Sequence, residues 1–286
     1  MTRYAVVGVD GSKNGREAAR WAAEEAATRG LGLRMVTVVP AEPARMPSGW
    51  ESAGWRKPVP GPAEVFGDIA AAFPGPDLDL DLSGRQIAGD PADVLPGIAR
   101  GAEVVVVGMR GAGGFDGLRL GSVALAVADR APCPVVLVPP PAATGKRRHE
   151  VVVGVDARHP DEGALEVAFE EAAVRGARLR AVHAWGLPTI CRGVVFGVLE
   201  EDRAEWEDQE VQLLDDALRN WRRKRPEVAV LPDVRLFGAA DALVRASADA
   251  ELLIVGRGAR NAGHLGGVVH AVAHHTRCPL LLARRH

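Results

Sequence analysis

The feature that most constrains this chain is that it repeats itself. AVVGVDGS at 5–12 returns as VVVGVDAR at 151–158, which sets Gly8 against Gly154 and Asp10 against Asp156 at an offset of 146. EEAATRG at 24–30 returns as EEAAVRG at 170–176, AEVVVVG at 102–108 as AELLIVG at 250–256, and APCPVVLV at 131–138 as TRCPLLLA at 276–283. Four landmarks in one order mean a duplicated domain, and 286 residues suit two domains of ordinary size. Pro139-Pro140-Pro141 and the polar stretch through Lys146-Arg147-Arg148 mark the boundary. The domains are therefore 1–140 and 150–286, with a stiff, solvated linker at 141–149.

Each copy alternates strand and helix. Ala5–Val9 is a continuous apolar run, as a strand buried on both faces requires. Gly15–Thr28 has helical period and Gly30 stops it. Leu33–Val39 reads as a second strand, Asp68–Ala72 as the remnant of a helix and Leu78–Ile87 as an alternating third strand. Asp90-Pro91 opens a helix over Pro91–Arg100, although Pro96 inside it is out of place. Val104–Val107, a helix over Ser122–Asp129 and a strand at Val135–Val138 complete the unit. The fold class is thus α/β: two tandem Rossmann-like domains, each a five-stranded parallel sheet between helices. Such sheets bind ligands beyond the carboxyl ends of their strands, where strand order reverses. That places the candidate site in the loops beginning at Asp10 and Gly108.

Composition narrows the functions that remain. A net charge of −2 carries no basic excess for nucleic acid or an anionic membrane surface. Three cysteines, Cys133, Cys191 and Cys278, are too few and odd for a disulfide framework and suit a reducing compartment. No signal-peptide core and no stretch approaching 18 uncharged apolar residues occurs, so the expected location is the cytoplasm.

After the fourth strand comes Gly108-Met109-Arg110-Gly111, then nine residues, then Gly121-Ser122, with Gly113, Gly114 and Gly117 between. Glycines let a backbone approach a bulky ligand, and successive N–H groups in such turns form an anion nest. Gly121-Ser122 then opens a helix whose free N–H groups and dipole favour phosphate oxygens; Ser122 reads as its N-cap and as a hydroxyl donor. Strand, glycine loop and helix N-terminus together make a phosphate cradle.

These residues resemble the universal stress protein family in its tandem, actinobacterial form. The family's ATP-binding members carry Gly, two residues, Gly, nine residues, Gly-Ser/Thr, which positions 108–122 match without a gap; VGVDGS and APCPVVLV also fit. The resemblance covers each copy nearly end to end and implies an adenine nucleotide alpha hydrolase-like version of the fold, with ATP, and magnesium accompanying it, as the ligand. It implies that Asp10 contacts the adenosine moiety above Gly8 and Val9. Val38 would offer its backbone to the adenine edge and Val107 would pack on the base. Gly108, Arg110 and Gly111 would border ribose and phosphates, while Gly121, Ser122, Val123 and Ala124 would present N–H groups to the phosphate chain. Pairing through fifth strands is a habit of the family, so Val135–Val138 with Leu280–Ala283, and further homodimerisation, are also implied.

The second copy departs from this pattern. Asp156 survives and Ala184 stands for Val38, but Gly256 to Gly266 spans 10 positions where Gly108 to Gly121 spans 13, and Gly267 replaces Ser122. Arg257, Arg260, Asn261 and His264 furnish the shortened loop with other polar groups. The expectation is asymmetric: copy one binds ATP, and copy two binds it weakly, not at all, or takes another nucleotide.

Further features have blander readings. The Pro-rich connection Pro40–Pro62 is a lid or partner surface, or merely a floppy connection, and Gly186–Leu199, with Cys191, a subunit contact. His270 and His274 have metal-site spacing but no carboxylate or cysteine ligand at useful spacing, so they read with His275 as a partly exposed helix face. Cys133 and Cys278 read as small core residues, and the glutamate pairs at 24–25 and 170–171 as solvated helix faces. No Walker A loop, dinucleotide fingerprint or nucleophile–base set occurs. The favoured function is an ATP-binding regulator of stress or dormancy responses acting on an unidentified protein partner. A slow ATPase or phosphotransferase using Asp10 to place a metal, and a scaffold with vestigial nucleotide binding, are the alternatives.

Overall fold

The computed structural model describes residues 3–39, 62–72, 82–111, 119–140, 149–187, 200–236, 238–258 and 265–283. Its contacts divide the chain into two units, 1–142 and 143–286. The connection Pro40–Pro62 (Pro62 excepted), the loop glycines Gly113, Gly114 and Gly117, residues 141–148, Cys191, Arg260, Asn261 and His264 lie outside the described residues.

Unit 1 runs β1 (Tyr4–Gly8), α1 (Lys13–Arg29), β2 (Gly32–Val39), α2 (Pro62–Ala72), β3 (Leu82–Ala88), α3 (Pro91–Ile98), β4 (Val104–Gly108), α4 (Ser122–Arg130) and β5 (Val135–Val138). The strands are parallel in the order β3-β2-β1-β4-β5. The apolar strands β1 and β4 therefore hold the centre, with Val6, Val7, Val105 and Val106 at most 1% exposed. Ala18, Ala19, Ala22, Ala23 and Ala26, all fully buried, give α1 a smooth face that lies close on the sheet. Ser12 caps α1 by accepting from the Gly15 N–H at 2.9 Å, and Gly30 ends it in the left-handed region at φ 60°.

Unit 2 repeats the plan with β6 (Glu150–Gly154), α5 (Glu162–Arg175), β7 (Arg178–Trp185), α6 (Glu200–Lys224), β8 (Val230–Leu236), α7 (Ala239–Ala246), β9 (Leu252–Val255), α8 (Gly267–His275) and β10 (Leu280–Leu282). Its strands are parallel in the order β8-β7-β6-β9-β10. The sharpest local difference is at the first helix. The counterpart of Lys13 is residue 159, yet α5 begins at 162. Pro160 has no N–H and disfavours helical geometry at His159, so the first turn is lost and Asp161 becomes the cap, accepting from the Ala164 N–H at 2.9 Å.

Several sequence expectations need correction. The helix read from Asp68 begins at Pro62. The third strand is Leu82–Ala88, mostly exposed at the sheet edge, and 78–81 lie outside the described residues. Glu25 and Glu171 are not solvated: they are buried, each ion-paired one turn on with Arg29 or Arg175. That pairing keeps their charges tolerable on an otherwise alanine-rich face. Cys133 and Cys278 are buried and form no disulfide among the described residues. Among the described residues no helix is long and apolar enough to cross a membrane.

Candidate functional site

In unit 1 a cavity of about 460 Å³ opens at the carboxyl ends of β1 and β4, the neighbours at which strand order reverses. The twelve first-copy residues singled out above all line it: Gly8, Val9, Asp10, Val38, Val107, Gly108, Arg110, Gly111, Gly121, Ser122, Val123 and Ala124. Six more join them: Gly15, Val36, Pro91, Leu95, Met109 and Leu120. The signal for Pro91 and Leu95 was present, since they lie four apart on the helix that Asp90 caps at 2.8 Å.

Glycines set the clearances. A Cβ on Gly8 would lie 2.9 Å from Leu95 Cδ1 and 3.3 Å from Val107 Cγ1, so the floor is apolar and tight. The Asp10 carboxylate accepts from the Ser12 N–H at 3.0 Å and occupies a slot between two further glycines. A Cβ on Gly15 would come within 2.6 Å of one of its oxygens, and one on Gly111 within 2.7 Å of the other.

Opposite this floor is the start of α4. Gly121, extended at φ −83° and ψ 160°, is the N-cap, and its carbonyl accepts from the Leu125 N–H at 3.0 Å. Ser122 is thus the first helical residue and not the cap, and no side chain caps this helix. The Gly121 N–H donates to the Met109 carbonyl at 2.7 Å, so it is not among the groups open to a ligand. The N–H groups of Ser122, Val123 and Ala124 belong to the first turn, which has no intrahelical acceptors for them. An open helix start of this kind attracts anions.

Unit 2 has a cavity of about 1130 Å³ at the corresponding place, lined by all five second-copy candidates: Asp156, Ala184, Gly256, Gly266 and Gly267. Its walls are more heavily charged. Asp156, Asp161, Glu162 and Glu210 line it together with Arg158, His159, His183 and Arg257. His183, at the position of Thr37, is buried with Nε2 3.0 Å from Glu210 Oε2. A carboxylate only accepts, so Nε2 carries the hydrogen. Arg158 pairs with the other oxygen of Glu210. This trio escaped sequence reasoning because Glu210 arrives from α6, 27 residues away.

The His270 and His274 rings lie 4.7 Å apart, and burial, followed by the charges of His270 and His275, holds His274 below the ordinary imidazole value. Among the described residues no group of three or more His, Cys, Asp or Glu is placed to hold a metal ion.

Fold and site together define a class: a duplicated, doubly wound α/β protein with a ligand-sized cavity at the switch point of each copy. The sequence model of the universal stress protein family matches residues 1–139 and again 147–284, and the chain belongs to that family. It is 33% identical to the universal stress protein Rv2005c of Mycobacterium tuberculosis, the match covering 98% of this chain and 96% of that one. It is 31% identical to Rv1996 of the same organism, over 98% and 94%. A universal stress protein from Archaeoglobus fulgidus has the same fold, with a TM-score of 0.65 at 16% identity, covering 99% of this chain and 98% of that one.

Proposed function

We propose that unit 1 binds ATP and that this tandem universal stress protein acts as a nucleotide-dependent regulator of stress or dormancy responses. The observation that carries the reading is the pairing, in one cavity, of an apolar floor at Gly8, Leu95 and Val107 with the uncapped start of α4. An adenine ring suits the first, and a phosphate chain suits the second. The Asp10 carboxylate stands at the same cavity, where ribose hydroxyls can donate to it. The Gly108–Ser122 spacing supports ATP over other ligands through the family resemblance, and magnesium would arrive with the nucleotide. A cytoplasmic homodimer that passes the nucleotide state to a protein partner completes the proposal; the ligand biases whichever state it binds better.

Titration calorimetry of the nucleotide-stripped chain with Mg-ATP tests this. One site per chain is expected. Ser122→Asp should weaken it by about ten-fold or more, since a carboxylate at this position suits the helix but repels phosphate. Gly111→Ala, whose methyl would meet Asp10 Oδ2 at 2.7 Å, should also weaken it. Absence of binding, or binding indifferent to both changes, would reduce the loop to an inherited turn and bring the scaffold reading forward.

A further inference from the structure

The histidines of α8 differ from the others of unit 2 in what they touch. His149, His159 and His183 each sit against a carboxylate, Glu251, Asp156 and Glu210 in turn. His270 and His274 have neither a hydrogen bond nor an ion pair among the described residues; what each meets is another imidazole. One turn apart on the helix, their rings converge to 4.7 Å between centroids, tilted by 46°. The His275 ring stands further off, 6.4 Å from that of His274. Unit 1 has Leu125, Asp129 and Arg130 at the corresponding positions, so the cluster belongs to unit 2 alone.

Imidazoles gathered without a carboxylate oppose one another as cations. Burial first, and then the charges of His270 and His275, disfavour the cation at His274, and a neutral imidazole is the form that ligates metal. Solvent reaches the pair, since His270 is exposed and His274 half-buried. An ion bonded at about 2.1 Å to one nitrogen of each ring, with about 90–110° between the bonds, sets the ring centres about 4.5–5 Å apart. The observed 4.7 Å falls in that range. Imidazole suits zinc, nickel and copper, whereas magnesium and calcium take oxygen. Two nitrogens leave the remaining positions to water, so no carboxylate or cysteine is required beside them.

We propose that His270 and His274 hold a divalent ion of the zinc, nickel or copper kind, with water completing its shell. The ion clips one turn of a helix that has little other local support. α8 has nine residues, Gly266 is its N-cap, Gly267 its first residue, and no side chain caps it. Its valines and histidines are weak helix formers, and glycine is weaker still. Gly266, Gly267, Val268 and Val269 line the unit 2 cavity, so the clip fastens the helix immediately beyond the residues that form the cavity wall. The site does not depend on the nucleotide reading of unit 1.

The test uses the full, metal-free chain without an added histidine tag, titrated calorimetrically with zinc and, in parallel, with magnesium. Zinc should bind and magnesium should not. His270→Gln and His274→Gln should each weaken zinc by about ten-fold or more, because either change leaves a single ligand. His275→Gln should leave the affinity within about two-fold. Zinc should also raise the thermal transition of unit 2 in the wild type and not in His270→Gln. With copper(II) as a spectroscopic probe, paramagnetic resonance should show two coupled nitrogens in the wild type and one in His270→Gln. Absence of zinc binding, equal binding of magnesium, or zinc affinity and nitrogen coupling unchanged in His270→Gln overturns the proposal. A loss in His275→Gln as large as in the other two overturns the assignment of the ligands. If His274→Gln perturbs the circular dichroism, the exposed His270→Gln decides alone.

Discussion

The two units share a topology and differ at its working end. In unit 1 the loop after β1 runs directly into α1, so small residues surround Asp10, and Arg110 is the other charged residue lining the cavity. In unit 2 a single proline removes one helical turn, and Asp161, at the position of Gly15, becomes the cap of α5 and stands against Gly256. Duplication fixed the sheet and the position of both cavities; one local backbone change was enough to alter the chemistry of the second. The walls differ as well. The buried pair His183 and Glu210 of unit 2, joined by the exposed Arg158, ties β7 to α6, whereas the unit 1 position of His183 holds a buried threonine.

The largest test of that difference concerns how α6 is held. Phe169, fully buried, stacks on Trp221 at 5.9 Å, and the Trp221 indole donates to Glu162 at 3.0 Å. Its unit 1 counterpart is Ala23, so the anchor belongs to unit 2 alone. Phe169→Ala should cost about 3–5 kcal/mol by leaving a cavity. Calorimetry of the whole chain should resolve this as a lowered transition for unit 2 with the unit 1 transition in place. Equal lowering of both would mean that the units unfold as one cooperative body.

How legible these features were depended on sequence distance. The sheet could be read because β1, β4, β6 and β9 are uninterrupted apolar runs, and the repeat confirmed each one. The unit 1 site could be read because strand ends, glycines and a helix start follow each other along the chain. The cap at Ser122 was misassigned by one residue, since Gly121 reaches the extended conformation a cap requires without offering a side chain as signal. The exposure of Glu25 and Glu171 was misjudged because an ion pair with a partner one turn away lets a carboxylate lie on a buried face. The Glu210–His183 contact left no trace in sequence: its members are brought together by packing and obey no period.

A smaller test asks whether the shared backbone plan is energetically shared. Gly30 and Gly176 end the equivalent helices at φ 60° and φ 59°, and a Cβ at either would meet nothing within 4 Å. Only the left-handed conformation then opposes substitution, so Gly30→Ala and Gly176→Ala should each cost about 1 kcal/mol, as residues with a Cβ do there. The loss should appear in one transition for each variant, and the two losses should agree. Unequal losses would show that the second copy's shorter α5 bears on its own C-terminus.

The smallest expected effect separates the units by pH. All eight histidines lie at or beyond position 149, so unit 1 has none. In unit 2 the hydrogen bond and charge of Glu251 raise His149 above its ordinary 6.5, whereas burial and the neighbouring His270 and His275 hold His274 below it. A raised histidine adds stability that is fully present below 6.5 and disappears as pH rises through its folded value. A lowered one adds stability that is present above 6.5 and disappears as pH falls through its folded value. Unit 2 should therefore be most stable near pH 6.5 and lose stability on both sides. The alkaline loss stays below about 1 kcal/mol, because the His149–Glu251 pair is solvent-screened. His149→Gln should flatten the alkaline side and His274→Gln the acid side of the unit 2 transition measured between pH 5.5 and 8. A unit 1 transition that moves as far as that of unit 2 over this range would contradict the assignment of pH sensitivity to the second copy.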